Sequence, residues 1–172
     1  MEQQPSLRQI GIRYGLIVAL VMVVYSLILQ FAGLAMNRPL GFLTYAILIA
    51  GMVVAHNAFK RDGDGYMTLG QGISIGMWIT LVAGVISSVF SYLYLKFIDD
   101  SVIQTAMDEA VTQMEERGMP DDQIDQAMKI TEKFMQPGAM MLIALVTMLI
   151  LGFIISLVVS AITRKTNPQI TT

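Results

Sequence analysis

Apolar residues in this chain gather into four long runs, Tyr14–Ala35, Leu40–Phe59, Gly72–Phe97 and Ala139–Ile162. One polar stretch, Ile98–Gln136, separates the third run from the fourth. At 1.5 Å rise per residue, helices over these runs reach about 30–39 Å, enough to cross a hydrocarbon core of about 30 Å. The expected fold is therefore all-α: an integral membrane four-helix bundle, residues 1–172 as a single membrane domain. The polar stretch has a helical period of its own. Val102, Ile103, Ala106, Met107, Ala110, Val111 and Met114 form one apolar stripe, and Ile124, Ala127, Met128, Thr131 and Phe134 a second. Gly118 stops the first helix; Pro120 starts the second with Asp121 and Asp122 in its first turn, where the helix dipole favours them. The two make an amphipathic helical hairpin, 98–136, between spans three and four.

The connections agree with this. Met36-Asn37-Arg38-Pro39 is a tight turn, so the first two spans are antiparallel neighbours, with Pro39 in the first turn of the second helix. Asp62-Gly63-Asp64-Gly65 is a loop signal that superficially resembles a calcium loop but lacks its closing Glu. Arg8, Arg13 and the Gly33-Leu34-Ala35 segment imitate a cleavable signal, yet the apolar run between them is too long for one. It is read as an uncleaved anchor that remains the first span.

Charge sets the orientation. Arg8, Arg13, Lys60, Arg61, Arg164 and Lys165 flank the runs on one side, against Arg38 and Lys96 on the other, so both termini are expected in the cytoplasm. Residues 98–136 are then extracytoplasmic, which in a bacterial inner (cytoplasmic) membrane is the periplasmic side. The overall charge of −2 conceals a partition, because ten of the 13 acidic residues lie in Ile98–Gln136 with only Arg117, Lys129 and Lys133 to oppose them. A surface that negative disfavours nucleic acid and anionic headgroups. The chain has no cysteine, which removes disulfides, thiolate catalysis and cysteine-ligated metals.

Gly72, Gly76, Thr80, Gly84 and Ser88 recur every fourth residue in the third run, with Ala83, Ser87 and Ser91 beside them. Ala144, Gly152, Ser156 and Ser160 echo the pattern in the fourth. Small residues let helix backbones approach where lipid removes any hydrophobic drive between them. Such ridges serve packing within one bundle, a dimer face or a pore lining, of which the first is the commonest. His56, the single histidine, precedes Lys60 and Arg61 and is expected at the cytoplasmic interface, solvated. The 14 methionines include Met107, Met114, Met128 and Met135 beside the hairpin stripes, where adaptable core is commoner than Cu(I) ligation. Acidic pairs such as Asp99-Asp100 and Glu115-Glu116 point in different directions on a helix and define no cation site.

No HExxH, GxSxG or P-loop is present, and no carboxylate lies inside a run, so no catalytic, cofactor-binding or metal residues are expected. The expected activity is non-enzymatic: helix packing and protein association through the acidic hairpin. A transporter or channel component for a small solute is the alternative, and a cation or metal sensor a weaker one. The partners expected are the lipid bilayer with either a second copy of the chain or another membrane or extracytoplasmic protein.

Four segments carry a family resemblance: Gly11-Ile12-Arg13-Tyr14-Gly15, Tyr66-Met67-Thr68-Leu69-Gly70-Gln71-Gly72, Tyr92-Leu93-Tyr94-Leu95-Lys96-Phe97-Ile98-Asp99 and Glu115-Glu116-Arg117-Gly118-Met119-Pro120. In them, and over nearly its whole length, the chain resembles a family of bacterial membrane proteins, the domain of unknown function numbered forty-one ninety-nine. The resemblance implies architecture and location, and no site residues. A proline often follows the aspartate of the third segment in that family; Asp100 stands there in this chain, which favours a third helix running unbroken into the hairpin.

Overall fold

The computed structural model describes residues 6–35, 37–99 and 101–166, apart from the side chains of Arg38 and Val102. It contains six helices, α1 Leu7–Phe31, α2 Arg38–Asp62, α3 Leu69–Phe97, α4 Ser101–Glu116, α5 Asp121–Phe134 and α6 Pro137–Thr163. Among the described residues no strand occurs, only an isolated antiparallel bridge between Met67 and Lys165. Helices α1, α2, α3 and α6 are long and apolar enough to cross a membrane, with mean hydropathies of 2.3, 1.7, 2.0 and 3.0.

Local chemistry fixes the ends. The first run extends to Ala35, but α1 stops at Phe31 because Gly33 turns left-handed at φ 68°. Asn37 caps α2 by accepting from the Leu40 N–H, and Pro39 sits in the first turn. Met36, the first residue of the expected turn, lies outside the described residues. A capping box opens α3: the Gln71 N–H donates to Thr68 Oγ1, and the Thr68 N–H to Gln71 Oε1.

The third helix does not run on. It ends at Phe97, and Asp99 Oδ1 accepts from the Ser101 N–H at 2.9 Å. An aspartate bonded to the backbone two residues ahead is an Asx turn, which starts a new helix in place of continuing the old one. The Ser101 hydroxyl and N–H both hold the Asp99 carboxyl below the usual carboxylate range. Asp100, the other expected cap, lies outside the described residues.

The chain divides into two compact units: the described residues up to Ser87 together with those from Val146 onward, and Ser88–Leu145. In the first unit, α1 and α2 pack as an antiparallel pair, with Gly51 of α2 against Val18 of α1. Gly11 and Gly15 of α1 admit Trp78 and Val82 of α3 in matching order, so those two helices run parallel. The core is a stripe of Leu48, Met52, Ala55 and Phe59 on α2 facing Ile10, Val18, Ala19 and Met22 of α1 and Ile75, Ile79 and Ala83 of α3. Large apolar residues face outward as well: Leu20, Ile28, Phe42, Val54, Ile150 and Ile162 are all exposed. An apolar exterior around a core that also holds glycines and hydroxyls is the distribution that lipid rewards.

In the second unit, α4 and α5 pack on each other across a turn in which Gly118 is left-handed at φ 72°. Ile124 is buried, and Ile103, Ala106, Met107, Ala110, Val111, Met114, Ala127, Met128 and Thr131 are half-buried. Val102 lies outside the described side chains. Phe134 departs from the expected stripe and is 59% exposed. At about 100° per residue it falls about 80° away from Ile124, whereas Met135 returns to that face and is half-buried.

Candidate functional site

The strongest cluster of polar side chains lies in the first unit, at the end that carries Arg8, Lys60, Arg61 and Lys165. Its centre is His56. The side chain was expected in solvent; it is fully buried, because it falls on the inner face of α2 beside Met52, Ala55 and Phe59. Its ring joins three helices: Nδ1 lies 2.8 Å from Thr163 Oγ1 of α6, and Nε2 lies 3.0 Å from the Gly72 carbonyl of α3. A carbonyl only accepts, so Nε2 carries a proton and donates. With a neutral ring Nδ1 is an acceptor, so the single Thr163 hydroxyl proton is shared between Nδ1 and the Val159 carbonyl, each 2.8 Å from Oγ1.

Two further ties hold the C-terminal end of α6. Lys60 Nζ donates to the Thr163 carbonyl at 3.0 Å, a cation on one of the carbonyls that a helix leaves unpaired at its end. Met67 and Lys165 exchange backbone hydrogen bonds of 2.9 and 3.0 Å. The Lys165 ammonium lies 5.6 Å from the Tyr66 ring, and the Arg8 guanidinium 5.3 Å from that of Trp78.

From this junction a seam of small residues runs between α3 and α6. Gly72 faces Ser160, Gly76 faces Ser156 and Thr80 faces Gly152, a constant antiparallel register with a glycine on one side or the other at each step. A Cβ on Gly72 would lie 2.6 Å from Ser160 Oγ, and one on Gly76 would collide with Ser156 Oγ. Each glycine is thus required by the hydroxyl residue opposite. Of the other small-residue positions, Gly84 is buried in α3, Ser88 is buried in the second unit, and Ala144 of that unit is exposed.

The hydroxyls differ in how they are satisfied. Ser156 Oγ donates across the seam to the Ile73 carbonyl at 3.1 Å, and Thr80 Oγ1 donates back to Gly76 within α3. Ser160 Oγ is buried with no hydrogen-bond partner. Removing an unpaired buried hydroxyl relieves desolvation, so Ser160→Ala is expected to be neutral or to stabilise by up to about 1 kcal/mol. Ser156→Ala, which deletes an interhelical bond, should destabilise by about 1 kcal/mol. Paired unfolding midpoints in one detergent check the order, and Ser160→Ala as the more damaging change would contradict it.

Both nitrogens of the buried ring are engaged by the bundle itself, so the junction fastens helix ends and presents no open face to a substrate. Sequence reasoning missed Thr163 and Lys60 as its partners. The one available signal was the spacing Leu48, Met52, Ala55, Phe59, which puts His56 on the buried face.

A family model described as "Protein of unknown function (DUF4199)" matches residues 13–165. Neither the curated proteins nor the solved structures contain a match to the chain.

Proposed function

The chain belongs to the DUF4199 family, and on that premise we propose that it is a non-enzymatic, multi-pass protein of the bacterial inner membrane that works by association. Helices α1, α2, α3 and α6 span the bilayer, both termini are cytoplasmic, and 98–136 lies outside the cytoplasm. There the acidic α4–α5 pair engages a basic surface of another membrane or extracytoplasmic protein.

One observation carries this reading. Asp108, Glu109, Glu115, Glu116, Asp121, Asp122, Asp125 and Glu132 are all exposed on α4 and α5. Among the described residues, none of them forms an ion pair within 4.0 Å. Eight carboxylates on one small helical pair repel one another and leave a field that a basic partner neutralises. The clustering of Arg8, Lys60, Arg61 and Lys165 at one end of the first unit supports a cytoplasmic assignment of that end. A solute path between α3 and α6 is disfavoured, since the Gly72–Ser160 and Gly76–Ser156 contacts lack room even for a methyl group.

The absence of native cysteine makes a single-cysteine test clean. Thr112→Cys, at an exposed position on α4, should react with a membrane-impermeant maleimide in intact spheroplasts, whereas Thr166→Cys should react only after permeabilisation. Crosslinking from residue 112 in native membranes should trap a discrete adduct that weakens as ionic strength rises. Repeated failure to trap any specific neighbour would remove the basis of the association reading.

A further inference from the structure

Within the second unit, the end of α3, the first turns of α4 and the end of α5 enclose an open groove of about 350 Å³. Leu95, Ile103, Met107 and Met135 supply its apolar lining, and Lys96 and Glu132 its two charges. Its height relative to a bilayer follows from the span ends: Phe97 is the last residue of one candidate span and Pro137 the first of another. The residues next to the lining are exposed and apolar. Phe97 and Ile98 follow Lys96 and are each 70% exposed, and Phe134 precedes Met135. Bulky apolar side chains at a span end are stable when they rest among acyl chains and headgroups. On the membrane-spanning reading, the groove then lies near the level of the headgroups.

We propose that this groove binds one phospholipid bearing a zwitterionic, amine-terminated headgroup, of the phosphoethanolamine class. The charges match such a headgroup in kind. Lys96 Nζ spends one donor on Tyr92 Oη at 2.8 Å and lies 5.2 Å from that ring, so its position is fixed while two further N–H groups remain for a phosphate. Glu132 offers a carboxylate to the ammonium. A purely anionic headgroup would meet Glu132 as a like charge, and a choline headgroup has no N–H to donate to it. Below the headgroup, Leu95, Ile103 and the pliable thioethers of Met107 and Met135 suit the glycerol and the first methylenes. The inference rests on the membrane-spanning part of the proposed function and not on the protein partner.

The test uses full-length protein in nanodiscs of phosphatidylcholine doped with either phosphatidylethanolamine or phosphatidylglycerol, with retained lipid read by native mass spectrometry. Phosphatidylethanolamine should be retained in preference to both others. Glu132→Gln should lower its retention about tenfold, to the level of phosphatidylcholine, as expected for loss of one charge-assisted hydrogen bond. Lys96→Gln should lower retention of all three lipids. Both residues are exposed, so elution volume and helicity should not change. Equal retention of the three lipids by the wild-type protein, or a preference unaltered by Glu132→Gln, overturns the proposal. If residues 112 and 166 label as a spanning protein requires and the preference is still absent, the groove assignment fails while the function reading stands.

Discussion

His56→Ala is expected to destabilise the bundle by about 3 kcal/mol. Two contributions add. Deleting a fully buried ring leaves a void between α2, α3 and α6, a cost of about 2 kcal/mol where neighbours close in only partly. The bonds to the Gly72 carbonyl and Thr163 Oγ1 are lost as well, at about 0.6 kcal/mol each on the scale seen between membrane helices. The total stays moderate because the Thr163 hydroxyl keeps the Val159 carbonyl as a partner. His56→Gln, whose amide can still donate to the Gly72 carbonyl, should recover part of the loss. Trp78 is the only tryptophan and packs against Gly11, so its fluorescence through a denaturing-detergent titration reports on the same helices. Equal midpoints for wild type and His56→Ala would show that the ring is not a fastening of the bundle.

Gly76→Ala should cost about 1–3 kcal/mol, although alanine is the better helix former. Its methyl group would enter the space of Ser156 Oγ and come 2.8 Å from Ser156 Cβ, both on a helix that must move as a whole to yield. The opposing side chain can instead be removed. Ser156→Gly alone gives up the bond to the Ile73 carbonyl and some helix propensity, so it too destabilises. The double variant Gly76→Ala with Ser156→Gly restores a small residue facing a glycine and should be more stable than the sum of the two losses by about 1 kcal/mol or more. Additive losses would mean that the two positions do not meet in the folded protein.

Much of the architecture was legible in the chain because lipid imposes strong rules. Only a long apolar helix satisfies its own backbone in hydrocarbon, so Tyr14–Ala35, Leu40–Phe59, Gly72–Phe97 and Ala139–Ile162 announced themselves. The fourfold spacing of Gly72, Gly76 and Thr80 was equally open to reading, because period alone defines a face. The pairing of Gly72 with Ser160 and Gly76 with Ser156 was not, since register between distant helices is a property of packing. His56 was misjudged for a related reason. Nearby Lys60 and Arg61 argued for solvent, whereas its environment depends on Thr163, a residue distant in sequence that returns to the same end of the bundle. The break after Phe97 turned on one local bond, Asp99 to Ser101, which competes with helix continuation too closely for composition to decide.

The register between α3 and α6 has a consequence for biosynthesis. Helix α3 leaves the ribosome well before α6, with the whole of Ile98–Gln136 translated between them. Until α6 arrives, the notches at Gly72 and Gly76 have no occupant, His56 Nδ1 lacks the Thr163 hydroxyl and Lys60 Nζ lacks the Thr163 carbonyl. Without α6, the first three long helices therefore present an unfilled seam, one imidazole acceptor and one ammonium donor that the last helix satisfies. One helix, α6, fills the notches, meets the imidazole and has its own C-terminal end closed by Lys60.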